Sequence, residues 1–381
     1  MSAFALGALF ESKDAGVSTS PTLPCGVTER NVSSTRSTTR CCTDAIYRAF
    51  MHIARTSIPA FFVPLRWQNT LCMLSVPNSD TTLEACSLCP HQCGANRHAG
   101  VGRCGVSAQP VVASVCLHRG EEPPISGSVG ICNVFFAGCN LRCAFCQNHQ
   151  ISRHGAAQPS WLTSYTAIAN SIEQCLQRGA TAVGFVSPSH QLAQMLCIVD
   201  ELHHRGLRPR IVYNSNGYDS PQMLRLLEGV VDVYLPDFKY ANNALALVFS
   251  GVERYVETAT AALAEMYRQK GASLVLNDNG EAEFGLIVRH LVLPEQIDNS
   301  IAALRLLVER ISPRLHVSLM AQYYPPEGLS LPSPLNRSLT PQEYAAVLAE
   351  YNALGLRGWA QELSSAQTYR PNFDAEAPFG E

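Results

Sequence analysis

Residues 130–146 read GICNVFFAGCNLRCAFC, an apolar run that stops at Ala137-Gly138 and then presents Cys139, Cys143 and Cys146. The run Gly130 to Phe136 is short, apolar and aromatic, as in a buried strand. The cysteines that follow occupy the loop at that strand's C-terminal end, where parallel α/β folds build their active sites. Thiolates hold 4Fe-4S clusters, and three of them leave the fourth iron with a free coordination position. A zinc ion borrowing a fourth ligand from Cys132 or His149 is the other reading of the same spacing.

From this strand onward, β-branched runs alternate with helical patterns, the signature of repeated βα units around a parallel sheet. The other strand candidates are Ala182 to Val186, Arg210 to Tyr213, Val231 to Leu235, Leu286 to Leu293 and Leu315 to Met320. Between and after them lie helical candidates at Tyr165 to Arg178, Gln191 to His204, Pro221 to Leu227, Tyr255 to Gln269, Ile301 to Ile311 and Pro341 to Leu354. Six units over about 250 residues fit an open, partial (β/α)6 TIM-like barrel better than a closed eight-unit one. The expected organisation is an extension over 1–80, a four-cysteine module and connector over 81–127, a barrel over 128–330, and a C-terminal helix and tail over 331–381. That tail carries Trp359, Gln361, Glu362 and Tyr369.

The chain has 381 residues, 46% hydrophobic and 15% charged, enough to bury one large core. A net charge of -3 excludes the broad basic footprint of a nucleic-acid binder, and no polybasic run suggests a membrane surface. Apolar stretches such as Ser57 to Leu65 are interrupted by proline and fall short of the ~20 residues that span a bilayer. Residues 1–80 are rich in Ser, Thr and Arg and lack a sustained period, faintly like an organellar transit peptide; disorder, or a start placed upstream of the true one, reads equally well. Cytoplasm is the expected location, or an organellar matrix if the extension is a transit peptide. Cys25, Cys41, Cys42 and Cys72 have no recognisable spacing and no assigned role.

A second cysteine set precedes the barrel. Cys86, Cys89, Cys93 and Cys104 form a closed shell of four thiols, suited to tetrahedral zinc or to a second iron–sulfur cluster, either of which would fasten a small Gly-rich module. A redox dithiol at Cys86 and Cys89 is the metal-free reading. Glu121-Glu122-Pro123-Pro124 reads as a rigid connector whose acids face the active site, or as a solvated linker.

The C-x3-C-x2-C spacing with Phe145 before the last cysteine, the stretch FFAGCNLRCAFCQNHQIS and the upstream GEEPPISG resemble the radical S-adenosylmethionine superfamily. Within it, the chain is similar to an uncharacterised branch akin to pyruvate formate-lyase activating enzymes. The likeness runs from about Cys86 to Phe379 and includes VSPSHQ, VYNSNGY, VDVYLPDFKY, RHLVLP and SLMAQYYP, each at a strand end. It implies a 4Fe-4S cluster at Cys139, Cys143 and Cys146, and S-adenosyl-L-methionine chelated at the open iron. It further implies reductive cleavage to a 5'-deoxyadenosyl radical that abstracts hydrogen from a substrate. A glycine of a partner enzyme is the substrate that the activases suggest, with another protein or a small molecule open, and a flavodoxin or ferredoxin would donate the electron.

Resemblance and strand position together single out residues. Phe145, Ser187, Ser189, His190, Asn214, Ser215, Asn216 and Arg289 are cofactor-binding candidates, and Asp237, Lys239 and His290 catalytic ones; a strand-closing turn at Asn214 to Asn216, a solvated ion pair at Asp237 and Lys239 and a satisfied core histidine at His290 are the other readings. A strand's period of 2 puts Arg289 and His290 on opposite faces, so one of them points inward. Gln322 and Tyr323 are further candidates at the last strand's end. The activases carry Gly-Gly-Glu after their second strand to hold the cofactor's amino group; here Ser187-Pro188-Ser189-His190 stands there, and no carboxylate is available. Two other classes fit the cysteines alone: a non-catalytic metal-binding scaffold, and an iron–sulfur electron-transfer or sensor protein.

Overall fold

The structure, a computed structural model, describes residues 4–5, 79–153, 160–368, 370–375 and 377–380. Its centre is a run of seven parallel strands: β3 (Ile131–Phe136), β4 (Ala182–Val186), β5 (Arg210–Ser215), β6 (Val233–Pro236), β8 (Ala282–Leu291), β9 (His316–Met320) and β10 (Arg357–Gln361). Strand β2 (Val112–His118) adds antiparallel to β3, and β1 (Phe4–Ala5) antiparallel to β10. The two-residue β7 (Val275–Leu276) flanks β8 off this path. The path does not close on itself, so the barrel is open between β2 and β1.

All six expected strands are present, and the partial barrel is the observed fold. The tail expected after residue 331 supplies a seventh parallel strand. Arg357-Gly-Trp-Ala-Gln361 lacks β-branched residues, so composition did not announce β10. Tyr369 and Cys25, Cys41, Cys42 and Cys72 lie outside the described residues, as does nearly all of the 1–80 extension.

Short helices α1 (Ser79–Glu84), α2 (Pro123–Ser126) and α3 (His149–Ser152) serve the connections. The outer layer is α4 (Tyr165–Gln177), α5 (Leu192–His204), α6 (Pro221–Arg225), α7 (Asn243–Ser250), α8 (Tyr255–Lys270), α9 (Ile297–Arg310) and α10 (Pro341–Ala353). Helix α10 begins on a capping box in which Thr340 Oγ1 accepts from Glu343 N–H and Glu343 accepts from Thr340 N–H. Helix α8 buries Ala259, Ala262, Leu263 and Met266 along the stripe its sequence period marks out. Among the described residues, no helix is long and apolar enough to cross a membrane.

Alternation along each strand separates two interiors. Cys132, Val134 and Phe136 join the large apolar layer between sheet and helices. Ile131, Ala182, Val212, Val233, Leu235 and Ile287 face inward, where Ile125 of α2 meets them and seals the barrel floor. Asn133 also faces inward, because a Cβ at Gly184 on the neighbouring strand would come within 2.2 Å of its Oδ1. Strand register thus places a polar level above an apolar floor.

Candidate active site

One cavity gathers Cys139, Cys143 and Cys146 with Ser187, Asn214, Ser215, Asn216, Asp237, Lys239, Arg289 and Gln322. Each comes from the C-terminal end of a strand or the loop after it, and Glu121 and Glu122 enter from the connector before α2. Gly138 makes the turn into the cysteine loop at φ 72°, and a Cβ there would stand 2.5 Å from the carbonyl oxygen of Cys104. The four-cysteine module is therefore packed directly against the start of the loop.

Every thiol of the loop has a neighbour that fixes it. Cys139 Sγ accepts from the Leu141 N–H at 3.4 Å and from Asn216 Nδ2 at 3.5 Å. Cys143 Sγ lies 2.9 Å from Ser250 Oγ, and Cys146 Sγ 3.2 Å from Ser152 Oγ. The loop's backbone is tied to α7, with Arg142 N–H donating to Ser250 O and Ala144 N–H to Phe249 O. Burial pushes the Cys139 thiol up to about 12 and, against the opposing charge of Lys239, the Cys143 thiol up to about 11. Thiols in such surroundings ionise when a metal bonds them, because metal binding displaces the proton. Among the described residues, no three Cys, His, Asp or Glu side chains are gathered as ligands of one ion. Three separated thiols around one cavity suit a polynuclear cluster, in which each thiolate takes a different iron. Cys132, considered as a fourth zinc ligand, sits in the outer layer beside Cys175 instead.

Below the cysteines runs a charged chain. Arg289 donates from Nε to Asp237 Oδ1 (2.8 Å), from Nη1 to Glu121 Oε2 (3.0 Å) and from Nη2 to Asn214 Oδ1 (2.7 Å). Lys239 Nζ donates to Asp237 Oδ2 at 2.6 Å. Burial alone would raise the Asp237 carboxyl, but Arg289 and then Lys239 hold it below the ordinary carboxylate range. Lys239 is raised in turn: burial disfavours its charge, and Asp237 and Cys143 outweigh that.

Other candidates are placed elsewhere. Ser187 lines the cavity in a left-handed turn at φ 54°. Ser189 Oγ instead donates to Asp219 Oδ1 at 2.5 Å, and His190 is buried with Nε2 2.9 Å from Ala137 O. Both turn toward the fold because Pro188 to Gln191 forms a 3-10 turn that carries their side chains away from the mouth. His290 corrects the catalytic expectation: it faces the outer layer, fully buried, with Nδ1 2.6 Å from Phe238 O, and burial lowers it to about 4. The period of 2 gives the cavity to Arg289 and the packing to His290. Tyr323 is fully buried and donates to Leu335 O, whereas Gln322 reaches the cavity and accepts from Gln361 Nε2 at 2.8 Å. Phe145 lines the cavity and stands edge-on to Phe249 and Tyr323.

Several contributors carry no motif. Asp219, fully buried, accepts from Ser189, Ser215 and Tyr213, and so holds the ends of β4 and β5 together. Ser250 and Ser152 are ordinary helix residues in sequence and meet the thiols only through the fold. Asn140, inside the cysteine motif, donates to Tyr218 O and accepts from Asn216, which could have been suspected from its position.

The four cysteines of the module line a small space with His91, Arg97, Arg103, Asn140 and His190. Burial pushes Cys89 up to about 12, and Cys104, Cys86 and Cys93 add to this. Cys93 goes the other way: burial would raise it, but backbone N–H groups bring it below its usual range. Arg97 is 1% exposed; its Nη1 donates to His190 O at 2.6 Å and stands 3.9 Å from Cys86 Sγ, and its Nη2 donates to Ser107 O at 2.7 Å. Burial pushes the Cys104 thiol up, and the Arg97 guanidinium opposes this without outweighing it.

Comparison with known proteins follows the same lines. A family described as a 4Fe-4S single cluster domain matches residues 125–251. An uncharacterized protein of Methanocaldococcus jannaschii is 29% identical over 281 residues, 72% of this chain and 76% of that one. A domain of a pyruvate-formate lyase-activating enzyme from Bacteroides vulgatus is similar in structure with TM-score 0.34 and 12% identity, covering 48% of this chain and 100% of that chain. Streptococcus suis SuiB bound to S-adenosylmethionine is similar with TM-score 0.37 and 10% identity over 59% of this chain and 48% of that chain. The matched 4Fe-4S domain spans the cysteine loop and β3 to β6, in agreement with the resemblance to the radical S-adenosylmethionine superfamily.

Proposed function

We propose that this chain is a radical S-adenosylmethionine enzyme. The observation that carries the reading is the meeting of the three loop thiols with the Glu121–Arg289–Asp237–Lys239 chain in one cavity at the strand ends. A 4Fe-4S cluster held there with S-adenosylmethionine would supply one-electron reductive cleavage of the cofactor's sulfonium, the source of hydrogen abstraction from a substrate. Cys139, Cys143 and Cys146 would hold that cluster, and Asn216, Ser250 and Ser152 orient their sulfurs. Ser187, Asn214, Ser215 and Asn216 line the space the cofactor would take at the ends of β4 and β5, the last three held in place by Arg289, Asp219 and Asn140. Asp237 keeps both Lys239 and Arg289 charged and fixed below the thiols, so neither drifts into the space of a reacting group.

A small electron carrier such as a flavodoxin or ferredoxin supplies the electron in this reading. A glycine of a partner enzyme is the hydrogen donor taken from the activase resemblance. Zinc or a second cluster at Cys86, Cys89, Cys93 and Cys104 fastens the module against the loop. The test is electron paramagnetic resonance of the anaerobically reconstituted, dithionite-reduced protein. A 4Fe-4S signal whose shape changes on adding S-adenosylmethionine is expected. A signal that forms and ignores the cofactor would leave an electron carrier or sensor, and no iron uptake would leave a metal-binding scaffold.

A further inference from the structure

The connector between β2 and α2 sends two carboxylates into the barrel from below. Glu121 is fully matched: Oε1 accepts from Asn133 and Asn214, and Oε2 from Arg289. Glu122 is not. It is 1% exposed and lines the same cavity as the cysteines, yet its Oε2 has no hydrogen-bond partner. Ser318, fully buried beside it on β9, stands against this carboxyl and opposes the effect of its burial. Buried polar atoms are nearly always satisfied, so an unpartnered carboxylate oxygen at a cavity points to a ligand that brings hydrogen to it.

Charge gives the sign of that ligand. The cations Arg289 and Lys239 are balanced by the carboxylates Glu121 and Asp237, so an ionised Glu122 leaves the cavity one negative charge in excess. Burial pushes the Glu122 carboxyl up to about 7, Arg289 opposing and Glu121 adding to it, and these two are the charged groups that face it. It is thus poised between a neutral form in the empty cavity and an anion beside a cation.

We infer that Glu122, backed by Ser318, is the receptor for an ammonium group on a ligand held in the barrel cavity. An ammonium supplies both the missing hydrogens and the missing positive charge. Two ligands carry one. The amino group of S-adenosylmethionine would make Glu122 the stand-in for the carboxylate absent from Ser187 to His190, a version that rests on the proposed function. An amine of the substrate would make it a specificity determinant instead.

Isothermal calorimetry on the reconstituted protein separates these, with S-adenosylmethionine in one arm and ethylammonium added to the cofactor-saturated protein in the other. In whichever arm holds the ammonium, affinity rises about fivefold to tenfold from pH 6 to pH 8, as the carboxyl near 7 ionises. Glu122→Gln lowers that affinity about tenfold and flattens its pH profile. Loss in the S-adenosylmethionine arm assigns the cofactor's amino group; loss confined to ethylammonium assigns a substrate amine. Ser318→Ala, with a threefold loss expected, decides the matter if Glu122→Gln does not fold. Wild-type affinities and pH profiles unchanged by the substitutions in both arms overturn the inference. If wild type binds no S-adenosylmethionine at all, the proposed function fails, and the ethylammonium arm, run without cofactor, still decides the role of Glu122.

Discussion

The two cysteine sets are built from the same side chain and differ in what surrounds it. Cys86, Cys89, Cys93 and Cys104 line a small space with a buried guanidinium among them. Cys139, Cys143 and Cys146 border an open cavity, where amide and hydroxyl groups hold the sulfurs and a charged chain continues beneath. In the proposed function the four thiols would complete a coordination shell with no place for a reactant, and the three would leave one. On that reading one set is a fastening and the other a reaction centre, and they can be perturbed independently.

The largest effect on stability is expected at the fastening. Arg97→Met removes the buried donors to His190 O and Ser107 O, which tie the module to the turn after β4. A loss of about 3–5 kcal/mol is expected, read as a lower denaturant midpoint, with the signal of the loop cluster retained in the protein that remains folded. Asp237→Asn belongs to the other region: it leaves Arg289 and Lys239 buried without their shared carboxylate, at a cost of about 3 kcal/mol. Because the folded carboxyl is depressed, its contribution is full above the unfolded value of about 3.9 and disappears as pH falls through the lower folded value. Wild type and Asp237→Asn should therefore converge in stability only in strong acid.

His290 sharpens the boundary between site and packing. Its folded value near 4 lies below the unfolded value of about 6.5, so the unfolded chain binds the proton first. Its stabilisation is complete above about 6.5 and is lost as pH falls toward 4, on the order of 2–3 kcal/mol. His290→Leu should remove much of that acid lability and leave 5'-deoxyadenosine formation per cluster within about twofold. A large fall in turnover at unchanged cluster content would restore the histidine to the reaction. The smallest effect is expected at Asn216→Ala, which removes a bond to Cys139 Sγ, one to Asn140 and one from the Tyr218 N–H, about 1–2 kcal/mol. Its signature is a shifted cluster resonance beside that modest loss of stability.

Much of this was legible in the sequence. The run Gly130 to Phe136 and the five later apolar runs announced the parallel barrel, because strands covered on both faces must be apolar throughout. Strands β2 and β10 were not read, since an edge strand and a Gly-Trp-Ala segment lack that pattern. Of the site, the thiols, Asp237 and Arg289 were found because their spacing or charge stands out in an apolar context. Ser189 and His190 were misplaced because a motif fixes the order of side chains and leaves open the turn that aims them. Ser250, Asp219 and Arg97 carry no local signal; only folding brings them to the residues they hold.

In the proposed function Cys139, Cys143 and Cys146, rather than the module, carry the chemistry. The direct test of this is 5'-deoxyadenosine released by the anaerobically reconstituted protein with dithionite and S-adenosylmethionine, compared with a Cys143→Ala variant that keeps all four module cysteines. Product from wild type and a loss of at least about 1,000-fold, or ~4 kcal/mol of barrier, in Cys143→Ala are expected. Equal product from both would contradict it.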